Sequence, residues 1–173
     1  ESLSQRFPID NPAVFEGNAP WDFELTDTND VDSDEPRSAR SAIGLEDNQT
    51  SAFGFDGLSS GVMLFDWKTS SEEGADRLWV NRGGDVPQIW DAFISGERAW
   101  QRSAILLPDE SNNVRWIYTK DDSETAGEDR GLVDNVEVVP LDKFMDDIRS
   151  AGNVEGFDFE LDSRALFLPT DLD

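Results

Sequence analysis

The chain has 173 residues and carries 14 Lys and Arg against 38 Asp and Glu, a formal net charge of -24, with neither cysteine nor histidine. That length suits one domain with a sizeable core, while the charge repels nucleic acid and anionic membrane surfaces, which are poor partners for it. The missing residue types exclude disulfides, Cys-ligated zinc, and Ser-His-Asp or Cys-His catalysis within these residues.

Six Trp and eleven Phe set the chain apart from disordered acidic sequences, which lack the aromatic surface that offsets ordering entropy. Short alternating or apolar runs follow one another from the N-terminal side: 13–16, 21–25, 39–43, 51–55, 61–69, 77–81, 88–94, 99–107, 113–119 and 132–139. Segments rich in Asp, Asn, Gly, Pro and Ser separate them, among them "DSDEPRS", "DGLSSG", "NRGGDVP" and "PDESNN". This is the pattern of an all-β sandwich, and residues 1–139 form its predicted core. The stretch "FDWKTSSEEGADRLWV", 65–80, reads as a hairpin: Phe65, Trp67 and Thr69 share one face of the outgoing strand, Leu78 and Val80 one face of the returning strand, and Gly74 sits in the turn. Ser70, Ser71 and Glu72 are expected to fasten that turn through side-chain hydrogen bonds.

After Pro140 the period changes. "PLDKFMDDIRSAGN" places Leu141, Phe144, Met145 and Ile148 at helical spacing ahead of Gly152, and "FDFELDSRALFLPTD" then alternates as a final hairpin. Residues 140–173 thus form a helix plus hairpin extension, expected to pack on the same domain. The longest apolar run, 104–108, is far short of a membrane span, and no basic-then-apolar leader opens the sequence.

Two acidic loops offer hard oxygen ligands suited to calcium. The first, "DTNDVDSDE", supplies Asp27 and Asp30 among others; it is not an EF-hand, because counting from Asp30 the required Gly is Glu35 and the closing Glu is Ser41. The second, "KDDSETAGEDRG", contains Asp129 and precedes a strand bearing Asp134, so carboxylates of both loops can share one ion if the strand ends converge. The competing reading of both loops is plain solvation.

Most tryptophans, Trp21, Trp67, Trp79, Trp100 and Trp116, fall inside predicted strands, where packing is their usual role. Trp90 differs. In "GGDVPQIWDAFISG" it stands with Phe93 between glycine-bearing turns, as a candidate aromatic platform for the apolar face of a sugar ring, with Asp85, Gln88 and Asp91 beside it to bind hydroxyls. Core packing is the alternative. Asn48-Gln49-Thr50 matches a glycosylation sequon.

Several pieces taken in order, Phe15-Glu16, Ser38-Ala39-Arg40-Ser41, Ser70-Ser71-Glu72 with Asp76 and Leu78, Gly96 with Trp100, Trp116-x-Tyr118-x-Lys120-Asp121, and Asp129 with Val133-Asp134, resemble the MAM-like jelly-roll modules of extracellular bacterial proteins. The resemblance covers about residues 14–139 and implies a two-sheet antiparallel jelly-roll sandwich, with one short helix added near the C-terminus. It further implies an adhesive or carbohydrate-binding appendage of a larger secreted or cell-surface protein, and a structural calcium ion with Glu16 and Asp134 among its ligands. The chain departs from the animal family in lacking every cysteine. The expected function is therefore non-catalytic binding of a polysaccharide or cell-surface protein. A calcium-stiffened spacer of a large adhesin is the rival reading. A small polysaccharide-degrading enzyme, needing two facing carboxylates roughly 5–10 Å apart, comes third.

Overall fold

The computed structural model describes residues 7–24, 38–83, 92–123 and 125–150. Ten strands precede one helix: β1 (Ala13–Gly17), β2 (Asp22–Glu24), β3 (Ser38–Arg40), β4 (Thr50–Leu58), β5 (Gly61–Ser70), β6 (Arg77–Arg82), β7 (Ala92–Ser95), β8 (Arg98–Leu107), β9 (Asn112–Thr119), β10 (Arg130–Val139) and α1 (Leu141–Ser150). They form two antiparallel five-stranded sheets, ordered β1-β4-β9-β6-β7 (the first sheet) and β2-β3-β10-β5-β8 (the second). The facing sets β4-β9-β6-β7 and β3-β10-β5-β8 are those of an eight-stranded jelly roll, with β1 and β2 added at one edge of each. The fold class is the one that the alternation predicts.

Alternation also builds the core. Phe53 and Phe55 on β4, Leu78 and Val80 on β6, and Val114, Trp116 and Tyr118 on β9 point inward from the first sheet. Met63, Phe65 and Trp67 on β5, Ile105 and Leu107 on β8, and Val133 and Val136 on β10 meet them from the second. Trp116 is the hub: its ring stacks on Phe53 at 5.0 Å and meets the edge of Phe65 at 5.3 Å. Trp21, Trp67 and Trp116 are buried, as their strand positions lead one to expect.

The predicted 65–80 hairpin is not formed. β5 pairs with β10 and β8 in the second sheet, whereas β6 pairs with β9 and β7 in the first, so residues 71–76 arch from one sheet to the other. Alternation fixes which face of a strand is buried, and Phe65, Trp67, Leu78 and Val80 all reach the shared core in either arrangement. The arch lets β5 take β10, a strand more than sixty positions on, as its neighbour. Gly74, at φ 79°, supplies its left-handed turn.

The outer face of the second sheet carries an apolar stripe of its own, Val62, Ala104 and Val139 with Leu64 and Leu106, and Phe144 of α1 packs on it. The helix starts directly after Pro140, has Asp142 in its first turn, and pairs Lys143 Nζ with Asp147 Oδ2 at 3.0 Å one turn on. The predicted final hairpin lies outside the described residues.

Candidate functional site

Two groups of side chains stand out, one polar and buried, the other aromatic and exposed. The first closes one end of the sandwich, where four connections cross between the sheets: residues 71–76, 96–97, 120–129 and 41–49. Asp76, on the first of these, is fully buried, as are Tyr118 and Lys120 from the end of β9. The Tyr118 hydroxyl donates to Asp129 Oδ1 at 2.9 Å, Lys120 Nζ lies 3.1 Å from Asp129 Oδ2 and 3.5 Å from Asp76 Oδ2, and the Asp121 amide donates to Asp76 Oδ1 at 2.9 Å. Burial raises the Asp76 pKa above the ordinary carboxylate value, with the Asp121 amide and Lys120 opposing and Asp129 reinforcing the shift. Burial and Asp129 together push the Tyr118 phenol far above its usual range. Burial alone would lower the Lys120 pKa, but the two aspartates outweigh it and hold the ammonium charged. The surrounding serines lock the arch: Ser71 Oγ donates to the Asp76 carbonyl at 3.2 Å and accepts from the Gly96 amide at 3.1 Å, while Ser70 Oγ accepts from the Glu128 amide at 2.8 Å.

The second group lies on the outer face of the first sheet. Register places Glu16, Ala52, Ile117, Trp79 and Phe93 in one row across β1, β4, β9, β6 and β7, with Arg115 and Asn81 in the next row beyond Ile117 and Trp79. Leu78 and Val80 face the core, so the residue between them faces out. Trp79 is half-buried, its indole Nε1 donating to Thr119 Oγ1 at 3.1 Å, and Phe93 packs against it at 4.7 Å, tilted by 49°, with 44% of its surface exposed. The Arg77 guanidinium sits over both rings, 4.8 Å from the Phe93 centroid and 5.6 Å from the Trp79 centroid, and donates from Nη2 to the Gly74 carbonyl at 2.6 Å. At the far side Arg115 is buried against backbone: Gly54 leaves no side chain where a Cβ would meet the Val114 carbonyl, and Arg115 Nη1 donates to the carbonyls of Val114 at 3.1 Å and Phe55 at 3.3 Å. Its remaining donors reach Glu16 Oε2 at 3.0 Å, Glu16 Oε1 at 3.3 Å and Asp56 Oδ1 at 2.8 Å. Burial opposes the Arg115 charge, and these two carboxylates more than restore it.

The expected cation ligands do not assemble among the described residues. Glu16 is on the outer face of the first sheet and committed to Arg115, whereas Asp134 pairs in register with Asp66 on the outer face of the second, beside the bulge where the Asn135 amide donates to Asp134 Oδ1 at 2.8 Å. Two layers of core separate them, so the shared site that the resemblance implies is not formed by this pair. Asp129 faces Lys120 and Tyr118. No group of three or more acidic side chains among the described residues is placed to hold a metal; Asp27 and Asp30 lie outside those residues.

Of the expected ligand-binding residues, Phe93 is exposed on a sheet face, and Trp90, Asp85, Gln88 and Asp91 lie outside the described residues. Trp79 and Trp100 are not core residues; both alternate outward and are only partly buried, because Leu78 and Val80, and Ile105 and Leu107, take the inward positions of their strands. Sequence reasoning missed Trp79 and Arg77 as partners of Phe93, although the alternation in "RLWVNR" already turns Trp79 outward.

No protein-family model matches the sequence, and no curated protein matches it. Several solved structures share its architecture. The secreted serine protease VesC from Vibrio cholerae superposes with a TM-score of 0.54 at 18% identity, over 79% of this chain and 26% of that chain. A carbohydrate-binding module, TmCBM61 in complex with β-1,4-galactotriose, superposes with a TM-score of 0.50 at 10% identity, over 75% of this chain and 88% of that chain. The likeness is one of fold. This chain spans about a quarter of the VesC chain, and its lack of histidine leaves no Ser-His-Asp triad within these residues. No helix among the described residues is long and apolar enough to cross a membrane.

Proposed function

We propose that the chain is a non-catalytic binding module of a secreted or cell-surface protein, and that it holds polysaccharide on the outer face of its first sheet. The observation that carries this reading is the exposed Phe93 ring beside Trp79. A large aromatic ring left 44% exposed, held by a second ring tilted against it and by Arg77, presents the flat apolar surface on which the C–H face of a pyranose packs. The shared architecture with TmCBM61, a module bound to a galactotriose, supports it at the level of fold. Adhesion to a glycan-coated surface follows from the same contact.

Affinity electrophoresis through gels containing soluble polysaccharides tests the proposal. Retardation of the wild type, lost in Phe93→Ala and Trp79→Ala proteins that remain folded by circular dichroism, is the expected result. Equal mobility in every gel and in the polysaccharide-free control would leave the spacer reading in its place.

A further inference from the structure

The aromatic pair adjoins the arch at residues 71–76, because Arg77 sits over the rings and donates to the Gly74 carbonyl. The groups along that margin are acidic. Glu73 is exposed and ion-paired to Arg98 at 2.8 Å, and Glu72 Oε2 accepts from Ser123 Oγ at 2.9 Å. The same hydroxyl lies against Asp121 Oδ1, whose carboxylate is held below its ordinary pKa by the Ser123 hydroxyl and amide and feels the charge of Arg77. Beyond the margin the whole chain carries a net charge of -24.

From this setting we infer that the ligand of the Trp79–Phe93 platform is an uncharged polysaccharide, with Glu72 and Asp121 accepting hydrogen bonds from its hydroxyls. The inference rests on the reading of Trp79 and Phe93 as the stacking surface and adds the chemical class of what stacks there. A uronate or sulfated chain brings a negative charge to every sugar or every second sugar, and each approaches a chain of net charge -24 whose repulsion acts within a Debye length of about 8 Å and grows as salt is lowered. Arg77 and Arg98 do not reverse this, since the Arg77 guanidinium sits over the rings with its Nε and Nη2 donors turned to the Gly74 carbonyl, and Arg98 is paired with Glu73. Carboxylates that accept only, as Glu72 and Asp121 do when ionised, match the O–H donors of a neutral sugar and repel the oxygens of an acidic one.

The experiment compares retardation in gels of neutral β-1,4-galactan, xyloglucan and β-1,3-glucan with gels of polygalacturonate, alginate and heparin, at low and at moderate salt. Retardation by at least one neutral polymer, unchanged by salt, and none by the three polyanions at low salt is the expected outcome. Glu72→Gln with Asp121→Asn, which keeps the shape and removes both charges, is expected to weaken the neutral interaction several-fold and to raise that with polygalacturonate. Stronger retardation by any polyanion than by all neutral polymers would overturn the inference; if Phe93→Ala abolished that retardation, the platform itself would stand. Silence in all six gels would overturn both.

Discussion

The closed end of the sandwich and the outer face of its first sheet invert what each would be expected to hold. At the closed end charged groups are buried, and on the sheet face the Phe93 ring is exposed beside a half-buried Trp79. The difference lies in where each group finds its partners. Lys120 has Asp129 and Asp76 within 3.5 Å, inside the same chain, so its buried charge finds its counter-charges internally. Phe93 has Trp79 and Arg77 packed against it and 44% of its surface in solvent. The apolar stripe of the second sheet makes the same point from another direction: there the chain supplies Phe144 of α1 as the cover. A group satisfied within the chain serves the fold, and one left open serves contact with something outside it.

The largest effect expected from breaking this comparison falls on the buried side. Lys120→Met leaves Asp76 and Asp129 facing each other without a cation and is expected to cost about 3–5 kcal/mol in urea denaturation, while any folded fraction still binds polysaccharide. A loss below about 1 kcal/mol would show that the end of the sandwich is wet and the network dispensable. The same network sets a pH dependence. Because the folded state raises the pKa of Asp76, it binds that proton more tightly than the unfolded chain does, so stability from this group is present below the ordinary carboxylate value of 3.8 and declines as pH rises through the raised folded value. Asp76→Asn is expected to remove this decline from the stability-versus-pH curve; an unaltered slope would place the proton elsewhere.

A smaller effect is expected at Arg115. Glu16→Gln removes one of its two carboxylate partners while Asp56 remains, which predicts a loss of about 1–2 kcal/mol, equal in calcium and in chelator. A loss confined to calcium-containing buffer would return Glu16 to the role of a metal ligand.

How much of this was legible beforehand depends on the range of the interaction. Strand positions were, because alternation is local: the run at 61–69 became β5 and that at 113–119 became β9 with ends shifted by one residue. Which sheet a strand joins was not, as the 65–80 stretch shows, because hairpin and arch bury the same residues. The site residues divide in the same way. Phe93 stood out from its neighbours in sequence, but its partner Trp79 reaches it only through the β6–β7 register, and Arg115 meets Glu16 across 99 positions. The fingerprint Ser71, Asp76, Gly96, Tyr118, Lys120 and Asp129 was legible as spacing alone. Its physical content, three of the four crossings tied by buried hydrogen bonds and ion pairs, needed the fold.

The smallest expected change in stability is also the one that separates the two regions most sharply. Phe93→Ala removes a ring that is nearly half in water, so it forfeits the packing against Trp79 and the cation contact with Arg77 but little buried area, a cost of about 1 kcal/mol. Its effect on polysaccharide retardation is expected to be at least tenfold, because the ring is the surface on which we propose that the sugar rests. Lys120→Met should show the reverse proportion, large in stability and absent in binding. A Phe93→Ala protein that lost several kcal/mol would mean that the ring is a packing element whose exposure is incidental. Both variants measured in one denaturation series and one set of gels therefore decide whether the exposed ring and the buried charges have separate roles.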